Sequence, residues 1–440
     1  MISTIELPEF NRLQKAISET KWIQGEGIVK DVVGLVIESA GPQACIGDWC
    51  QIILPNGVVD AEVVGFRKDR VLLMPLGDLA GISPGSIVRC MNRSFESPAG
   101  HGLLGRVLDG LGRPIDGSEL SKGLCKMPTL ASPPNAMERP PISKAITTGV
   151  KAIDGFLTFG EGQRLGIFAG SGVGKSTLMG MIACKSSADV NVICLVGERG
   201  RELREFIEND LGKEGLAKSV VVCATSDQPA LVRIKAAFTA TAIAEYFRNQ
   251  GKSVLLVMDS VTRFAMAQRE VGLSIGEPPS TKGYTPSVFA LLPKLIERAG
   301  TSKLGSITGL YTVLVEGDDH DEPIADATRA ILDGHIVLSR KLTSRGHYPP
   351  IDVLQSLSRT MPLVVTPEHN ELARQGRETL AAYNDVEDLV SIGAYKTGSN
   401  KQSDKALKTF PALNSFLMQA KNESQELQET LVELQKAVNA

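Results

Sequence analysis

The stretch GIFAGSGVGKSTLMG, residues 166–180, constrains this chain more than any other. An apolar run ends in a Gly-rich turn, and Lys175-Ser176 opens a helical pattern. A strand, such a turn and a helix together predict a sheet that holds phosphate at its edge. The usual form is G-x-x-x-x-G-K-[ST]. Gly174, Lys175 and Ser176 fit it, while Ala169 stands where the first Gly would be. Ala169 ends the strand, ahead of the tight turn, where a Cβ is tolerated. Gly170, Gly172 and Gly174 remain to let the backbone adopt positive φ and approach an anion. With Ser171, Val173 and Thr177 they make a nest of amides for a β-phosphate. Lys175 then neutralises the β- and γ-phosphates, and Ser176 supplies an oxygen to Mg²⁺. The cofactors implied are ATP and Mg²⁺.

Binding alone is not hydrolysis, which also needs a carboxylate for the metal and a group that positions water. SVLLVMDS is an apolar strand ending in Asp259, suited to the first task. Many buried strands end in Asp, but this one follows the loop at a plausible distance. VICLVGERGRE is another buried strand, ending in Glu198. Its sheet neighbours are expected to bring it beside the loop, at the carboxyl edge where ligands bind. There it aims water at the γ-phosphorus; alternatively it is structural and pairs with Arg199 or Arg201.

The remaining pattern gives the organisation. The chain has 440 residues, room for about two or three domains. Phe10, Leu13 and Ile17 share one helical face behind Pro8. From Trp22 to about Cys90, short Val/Ile-rich runs broken by Gly, Pro and Asp predict a small closed barrel. Residues 126–143 carry five prolines and read as an extended linker. Strands follow at 165–169, 192–196, 220–225, 254–259 and 307–315, separated by helical patterns. That alternation implies a mostly parallel sheet covered on both faces. Beyond Pro367 the strands stop. In the last helix Leu427, Leu431, Leu434 and Val438 form an apolar stripe, facing the core or docking another protein.

Net charge is −3 and aromatic residues are 5%, which favours neither nucleic acid nor an anionic membrane as partner. No apolar run approaches a membrane span and the first residues lack a signal-peptide core, so a cytoplasmic location is expected. Seven cysteines without a C-x-x-C pair read as reduced core thiols rather than a disulfide framework or a zinc site.

AGSGVGKS, VGERGRE and the long run from Met258 to Gly300 resemble the ATPases of bacterial type III export, flagellar and injectisome, relatives of the catalytic subunit of rotary ATP synthases. The likeness extends through GLLGRVLDGLGRPIDG and ADATRAILDGHIVLSR. The fold class it implies is α/β: a RecA-like parallel-sheet P-loop NTPase core, with an N-terminal small β-barrel and a C-terminal helical domain. The boundaries implied are a docking segment at 1–20, a barrel at 21–95, the ATPase core with its linker at 96–365 and helices at 366–440.

By the same resemblance Lys175 is the phosphate lysine and Ser176 the Mg²⁺ ligand. Asp259 is the Mg²⁺-linked carboxylate, and Glu198, with Arg199 beside it, the catalytic carboxylate. HYPPIDVLQSLSRTM supplies Tyr348, facing adenine, and Arg359, an arginine finger given to the neighbouring subunit. The family implies a homohexamer crowned by barrels, a peripheral-stalk-like regulator at the N-terminus and a central stalk protein. It also implies export-gate membrane proteins and chaperone–substrate complexes at the C-terminal helices, at the inner-membrane export apparatus, with no nucleic acid. Two other readings compete. A rotary synthase subunit would carry an acidic lever in its C-terminal domain, for which YNDVEDLVS is a poor substitute. A hexameric RNA or DNA translocase would show a basic channel and aromatic stacking in the barrel.

Overall fold

The computed structural model describes residues 25–315 and 322–440. The amphipathic segment with Phe10, Leu13 and Ile17 lies outside the described residues, as does Trp22. The chain forms two compact units, the first ending at Phe95 and the second running Glu96–Ala440.

Six strands build the first unit: β1 (Glu26–Val33), β2 (Val36–Ala40), β3 (Asp48–Leu54), β4 (Gly57–Arg67), β5 (Arg70–Pro75) and β6 (Ile87–Ser94). They close in the order β1-β2-β5-β4-β3-β6, and β6 returns to β1 through Gly27 and Val88. Alternation along each strand sends one face inward. Val29, Ile37, Ile52, Val63, Leu73 and Val88 fill that interior, all fully buried. Closure leaves no strand edge unpaired.

The second unit begins with β7 (Glu96–Ala99), β8 (Val107–Asp109) and β9 (Cys125–Pro128), of which β7 and β9 pair. β10 (Ala145–Ile146) and β11 (Phe159–Gly160) form a second small ribbon. Then follow β12 (Arg164–Ala169), β13 (Val190–Glu198), β14 (Ser219–Thr225), β15 (Ser253–Asp259), β16 (Gly300–Thr301), β17 (Ser306–Leu314), β18 (Gly334–Leu338) and β19 (Ile351–Ser358). The main sheet runs β19-β18-β12-β17-β15-β13-β14-β8, with β16 off this path on β17. Its pairs are parallel except β18–β19 and β16–β17. All nine residues of β13 are buried, as expected of a strand covered on both faces. The helix Ala230–Asn249 lies across β13, β14 and β15, and its six alanines allow the close approach.

The five predicted strands are present, with ends shifted by one or two residues. β8, β18 and β19 were not predicted. The 126–143 stretch is not a free linker. β9 takes its first residues, and arginines fasten the rest. Arg139 donates to the carbonyls of Glu297 and Ala299 at 2.6 and 3.1 Å, and Thr301 donates to that of Pro140 at 2.7 Å. Proline-rich backbone makes few bonds to itself and leaves its carbonyls for such donors.

After β19 come the helices Pro367–Asn384, Glu387–Ser391, Lys401–Leu417 and Leu427–Val438. Leu434 and Val438 are buried in the main core with Phe156 and Phe416. The last stripe therefore faces the core, with Leu427 and Leu431 only half-buried.

Arg298 is 1% exposed and forks onto Glu245 through Nε–Oε1 at 3.0 Å and Nη2–Oε2 at 2.5 Å. Its Nη1 donates to the Thr129 carbonyl at 2.5 Å, anchoring the proline strap. Removing one partner of such a pair leaves a buried charge alone, at a cost of about 3–5 kcal/mol. Glu245→Ala is expected to lose roughly that much stability in urea unfolding. A loss below about 1 kcal/mol, the range of exposed pairs, would contradict the burial described.

Candidate nucleotide site at the carboxyl edge of the sheet

β12 ends at Ala169, and residues 170–174 turn the chain into the helix Lys175–Lys185. Gly172 and Gly174 adopt φ of +77° and +89°, where a side chain is strained. Gly174 caps the helix without a side-chain acceptor, so the first amides keep their hydrogens for an anion. Gly170 differs from the expectation, because its φ is not positive. It is a site of close approach: a Cβ there would lie 2.8 Å from Arg340 Nη2.

Lys175 stands at the centre. Its ammonium donates to Asp259 Oδ1 at 2.5 Å and lies 3.9 Å from Glu198 Oε1. Asp259 is 2% exposed, and Thr312 of β17 donates to the same Oδ1 at 2.6 Å. Glu198 is 8% exposed. Arg263, on the helix Val261–Ser274, brings Nη2 to 3.4 Å from Glu198 Oε2 and donates from Nη1 to the Gly197 carbonyl. Burial, the charge of Asp259 and a hydrogen bond with Glu202 push Glu198 up to about 7, while Lys175 and Arg263 pull the other way.

Glu198 thus reaches the loop, though not as a sheet neighbour. β17 and β15 lie between β12 and β13. The lysine spans that gap, because the helix after the loop carries its side chain across the strand ends. Ser176 is exposed and Thr177 half-buried on the first turn; in the loop Ser171 is exposed and Val173 buried. Tyr348 is 49% exposed and precedes β19 at the loop's edge of the sheet, since Ile351 pairs Leu338 and Leu338 pairs Ala169.

Two expected residues are not brought into the cluster. Arg199 caps the helix Gly200–Glu205 and points to solvent, 75% exposed, with Glu202 Oε1 at 3.6 Å. Gly197, at φ +70°, turns the chain there, so the arginine on Glu198 is Arg263. Arg359 is exposed and follows β19 at the opposite edge, where Ser358 pairs Gly334. The six residues of β12 put roughly 17 Å of strand between that edge and the loop. Sequence reasoning missed Arg263, Thr312 and Arg340. Arg263 had a signal, lying one helical turn past Asp259 behind the N-cap Ser260. Thr312 looked like any β-branched strand residue.

A cleft of about 140 Å³ adjoins the loop, lined by Ala169, Gly170, Leu338, Arg340 and Gln355 among others. A larger one, about 570 Å³, opens between the β18–β19 connection and the C-terminal helices. Lys175, Glu198, Asp259 and Arg263 line neither. Among the described residues no three His, Cys, Asp or Glu side chains gather as a metal cage, and no helix is long and apolar enough to cross a membrane.

A glycine-turned loop at the carboxyl edge of a parallel sheet, with a lysine between two strand-end carboxylates, defines a P-loop nucleotide-hydrolysing protein. Residues 149–358 match the nucleotide-binding domain of the ATP synthase alpha/beta family, and residues 29–92 match its beta-barrel domain. Residues 365–436 match the T3SS EscN ATPase C-terminal domain. The flagellum-specific ATP synthase of Bacillus subtilis is 57% identical over 411 residues, 93% of this chain and 94% of that one. The type 3 secretion system ATPase of Xanthomonas euvesicatoria is 51% identical over 407 residues, 92% of each chain. The assembled ATPase EscN of the enteropathogenic E. coli type III secretion system is similar at TM-score 0.89 and 46% identity, over 94% of this chain and 100% of that one. The chain belongs to the family of flagellum-specific and type III secretion ATPases, and it is an ATPase.

Lys175→Met leaves two buried carboxylates without their shared cation. Glu198 then loses one of the two charges opposing its upward shift. A raised carboxyl group makes the folded state bind more protons than the unfolded one, so stability falls as pH rises. The variant is expected to be about 3 kcal/mol less stable than the parent at pH 8, with the gap closing toward pH 5 in denaturant titrations. A gap constant with pH would show that the lysine does not balance these carboxylates.

Proposed function

We propose that this chain hydrolyses Mg²⁺-bound ATP as a homohexameric ring and that the ring energises protein export through a type III apparatus, flagellar rather than injectisome. The observation that carries the shared-site reading is Arg359. It is exposed at the sheet edge away from its own loop, which supports a role toward the loop of another copy. An arginine finger supplied this way is worth about 10³–10⁵ in rate.

In this reading the amides of residues 170–177 cradle the β-phosphate and Lys175 turns to the β- and γ-oxygens. Tyr348 packs on the adenine. Ser176 and Asp259 would hold Mg²⁺; an exposed hydroxyl and a buried carboxylate are the hard oxygen donors that ion takes. When bound, Mg²⁺ neutralises charge on the phosphoryl group in flight. Glu198 accepts a hydrogen bond from water and aims it at the γ-phosphorus, held by Arg263 in the position first assigned to Arg199.

The export reading draws on the C-terminal match at 365–436 and on the flagellar relatives. A structure of EscN in complex with its central stalk EscO, 46% identical to this chain, supports a central stalk partner. We extend the reading to a regulator at residues 1–20, to export-gate membrane proteins and to chaperone–substrate complexes at the C-terminal helices. The chain would work in the cytoplasm at the inner membrane.

Glu198→Gln should keep nucleotide binding and lose turnover by about 10² or more, because an amide cannot take the carboxylate's part with water. Arg359→Ala should fail as well, from the other side of the shared site. Mixed, the two inactive proteins are expected to regain phosphate release, since one donates an intact Glu198 and the other an intact Arg359. A mixture as dead as its parts would place Arg359 outside the reaction.

The raised Glu198 also sets a pH limb. Protonation silences it, so kcat/KM should fall below about pH 7, approaching tenfold per pH unit. Arg263→Ala removes a cation that favours the carboxylate, so its limb should sit at higher pH. An unmoved limb in that variant would take the titration away from Glu198.

A further inference from the structure

Gly170 has no conformational reason to be glycine. Gly172 and Gly174 have positive φ, whereas Gly170 does not. Its steric reason is one side chain. A Cβ built there would stand 2.8 Å from Arg340 Nη2 and 3.6 Å from Arg340 Cζ, with Val173 Cγ2 at 3.6 Å. Arg340 begins the short helix Arg340–Ser344 just past β18, and β18 is the parallel neighbour of β12 on the side away from β17. Leu338 pairs Ala169, so the arginine emerges level with the start of the loop and folds back onto it.

We infer that Arg340 is a positioning residue for the phosphate loop, its guanidinium seated against the Cα of Gly170 where a side chain would otherwise be. This deepens the reading of residues 170–177 as the phosphate cradle and rests on it. A loop that must present several amides to one anion gains affinity when its first residue is held beforehand. The guanidinium does this by shape, as a flat group against bare backbone, and it adds a fixed positive charge at the edge of the 140 Å³ cleft. Arg340 is exposed, so its loss should leave folding intact. The clash in Gly170→Ala falls on the far end of a flexible side chain. The chain accommodates it by pushing the arginine off the loop, and the consequence appears in nucleotide binding.

The test is a double-mutant cycle read by a fluorescent ADP analogue (mant-ADP) and by the melting temperature. Arg340→Ala and Gly170→Ala are each expected to weaken mant-ADP binding about tenfold with an unchanged melting temperature, and the double variant should be no weaker than either. Arg340→Lys should recover little, because a point charge lacks the planar fork. Kinetically, the KM for ATP should rise more than kcat falls. Losses that multiply in the double variant, or full recovery by lysine, would overturn the seating of Arg340 on Gly170. Lys175→Ala serves as the separate control. If it binds mant-ADP as tightly as the parent, the phosphate-cradle reading itself fails, whatever the cycle shows.

Discussion

The ammonium of Lys175 holds two carboxylates that could not otherwise stay together. Asp259 at 2.5 Å and Glu198 at 3.9 Å are both nearly inaccessible to water. Two like charges in such surroundings repel and lack solvation, and a single central cation answers both problems. The lysine cannot come from a strand, because the strands that carry the acids are separated from β12 by one another and by β17. It comes from the first residue of a helix, whose position is set by a loop that only glycines at 172 and 174 can trace. The sequence GVGKS is therefore an electrostatic device as well as a phosphate cradle. Thr312 and Arg263 secure the two acids from behind, one on each.

Parallel pairing decides where everything else falls. β12, β13, β15 and β17 run the same way, so their carboxyl ends share one edge, and Ala169, Glu198 and Asp259 meet there by construction. β19 runs against β18, and that one reversal sends Arg359 to the far edge and Tyr348 to the near one. A single hairpin thus separates the two residues that the HYPPIDVLQSLSRTM stretch carries. A chain built this way holds most of a site at one edge of its sheet and an arginine at the other.

Much of this was legible because it is local. A Gly-rich turn after an apolar run, an Asp or Glu ending a buried strand and a helical stripe are patterns within one element. What could not be read is relational. Strand order is not written in any one strand, so Glu198 was expected beside the loop and reaches it instead through a side chain. Arg199 looked catalytic because it is adjacent in sequence to Glu198, yet the turn at Gly197 carries it into solvent, and Arg263 arrives from a different helix. The prolines of 126–143 predicted an extended path but not its anchoring, because the carbonyls that Arg139 binds lie about 160 residues further on. Gly170 was read by the rule for its two neighbours, and only the geometry separates a glycine needed for φ from one needed for space.

The same separation between local and relational information explains how the C-terminal helices belong to the site's own unit. The helix Lys175–Lys185 has 11 residues, roughly 16 Å, with the loop at one end. At its other end Lys185 donates to the Lys421 carbonyl at 2.7 Å, and Lys421 Nζ donates to Asp210 Oδ1 at 2.8 Å. Gln419 is more central still. Its side chain accepts from Lys151 N at 2.9 Å and donates to the Gly149 carbonyl at 2.8 Å, while its backbone N–H donates to the Tyr348 carbonyl at 2.9 Å. Residues 419–421 thus touch the far end of the phosphate-loop helix and the segment carrying Tyr348 at once. Lys421–Asp210 is a half-exposed ion pair, whereas the bonds to the carbonyls of Lys421, Gly149 and Tyr348 join backbone groups, and a lost bond in the buried part leaves a polar group unsatisfied. A shift of the helix at the loop end therefore strains the bonds at residues 419–421 unless the C-terminal segment moves with it.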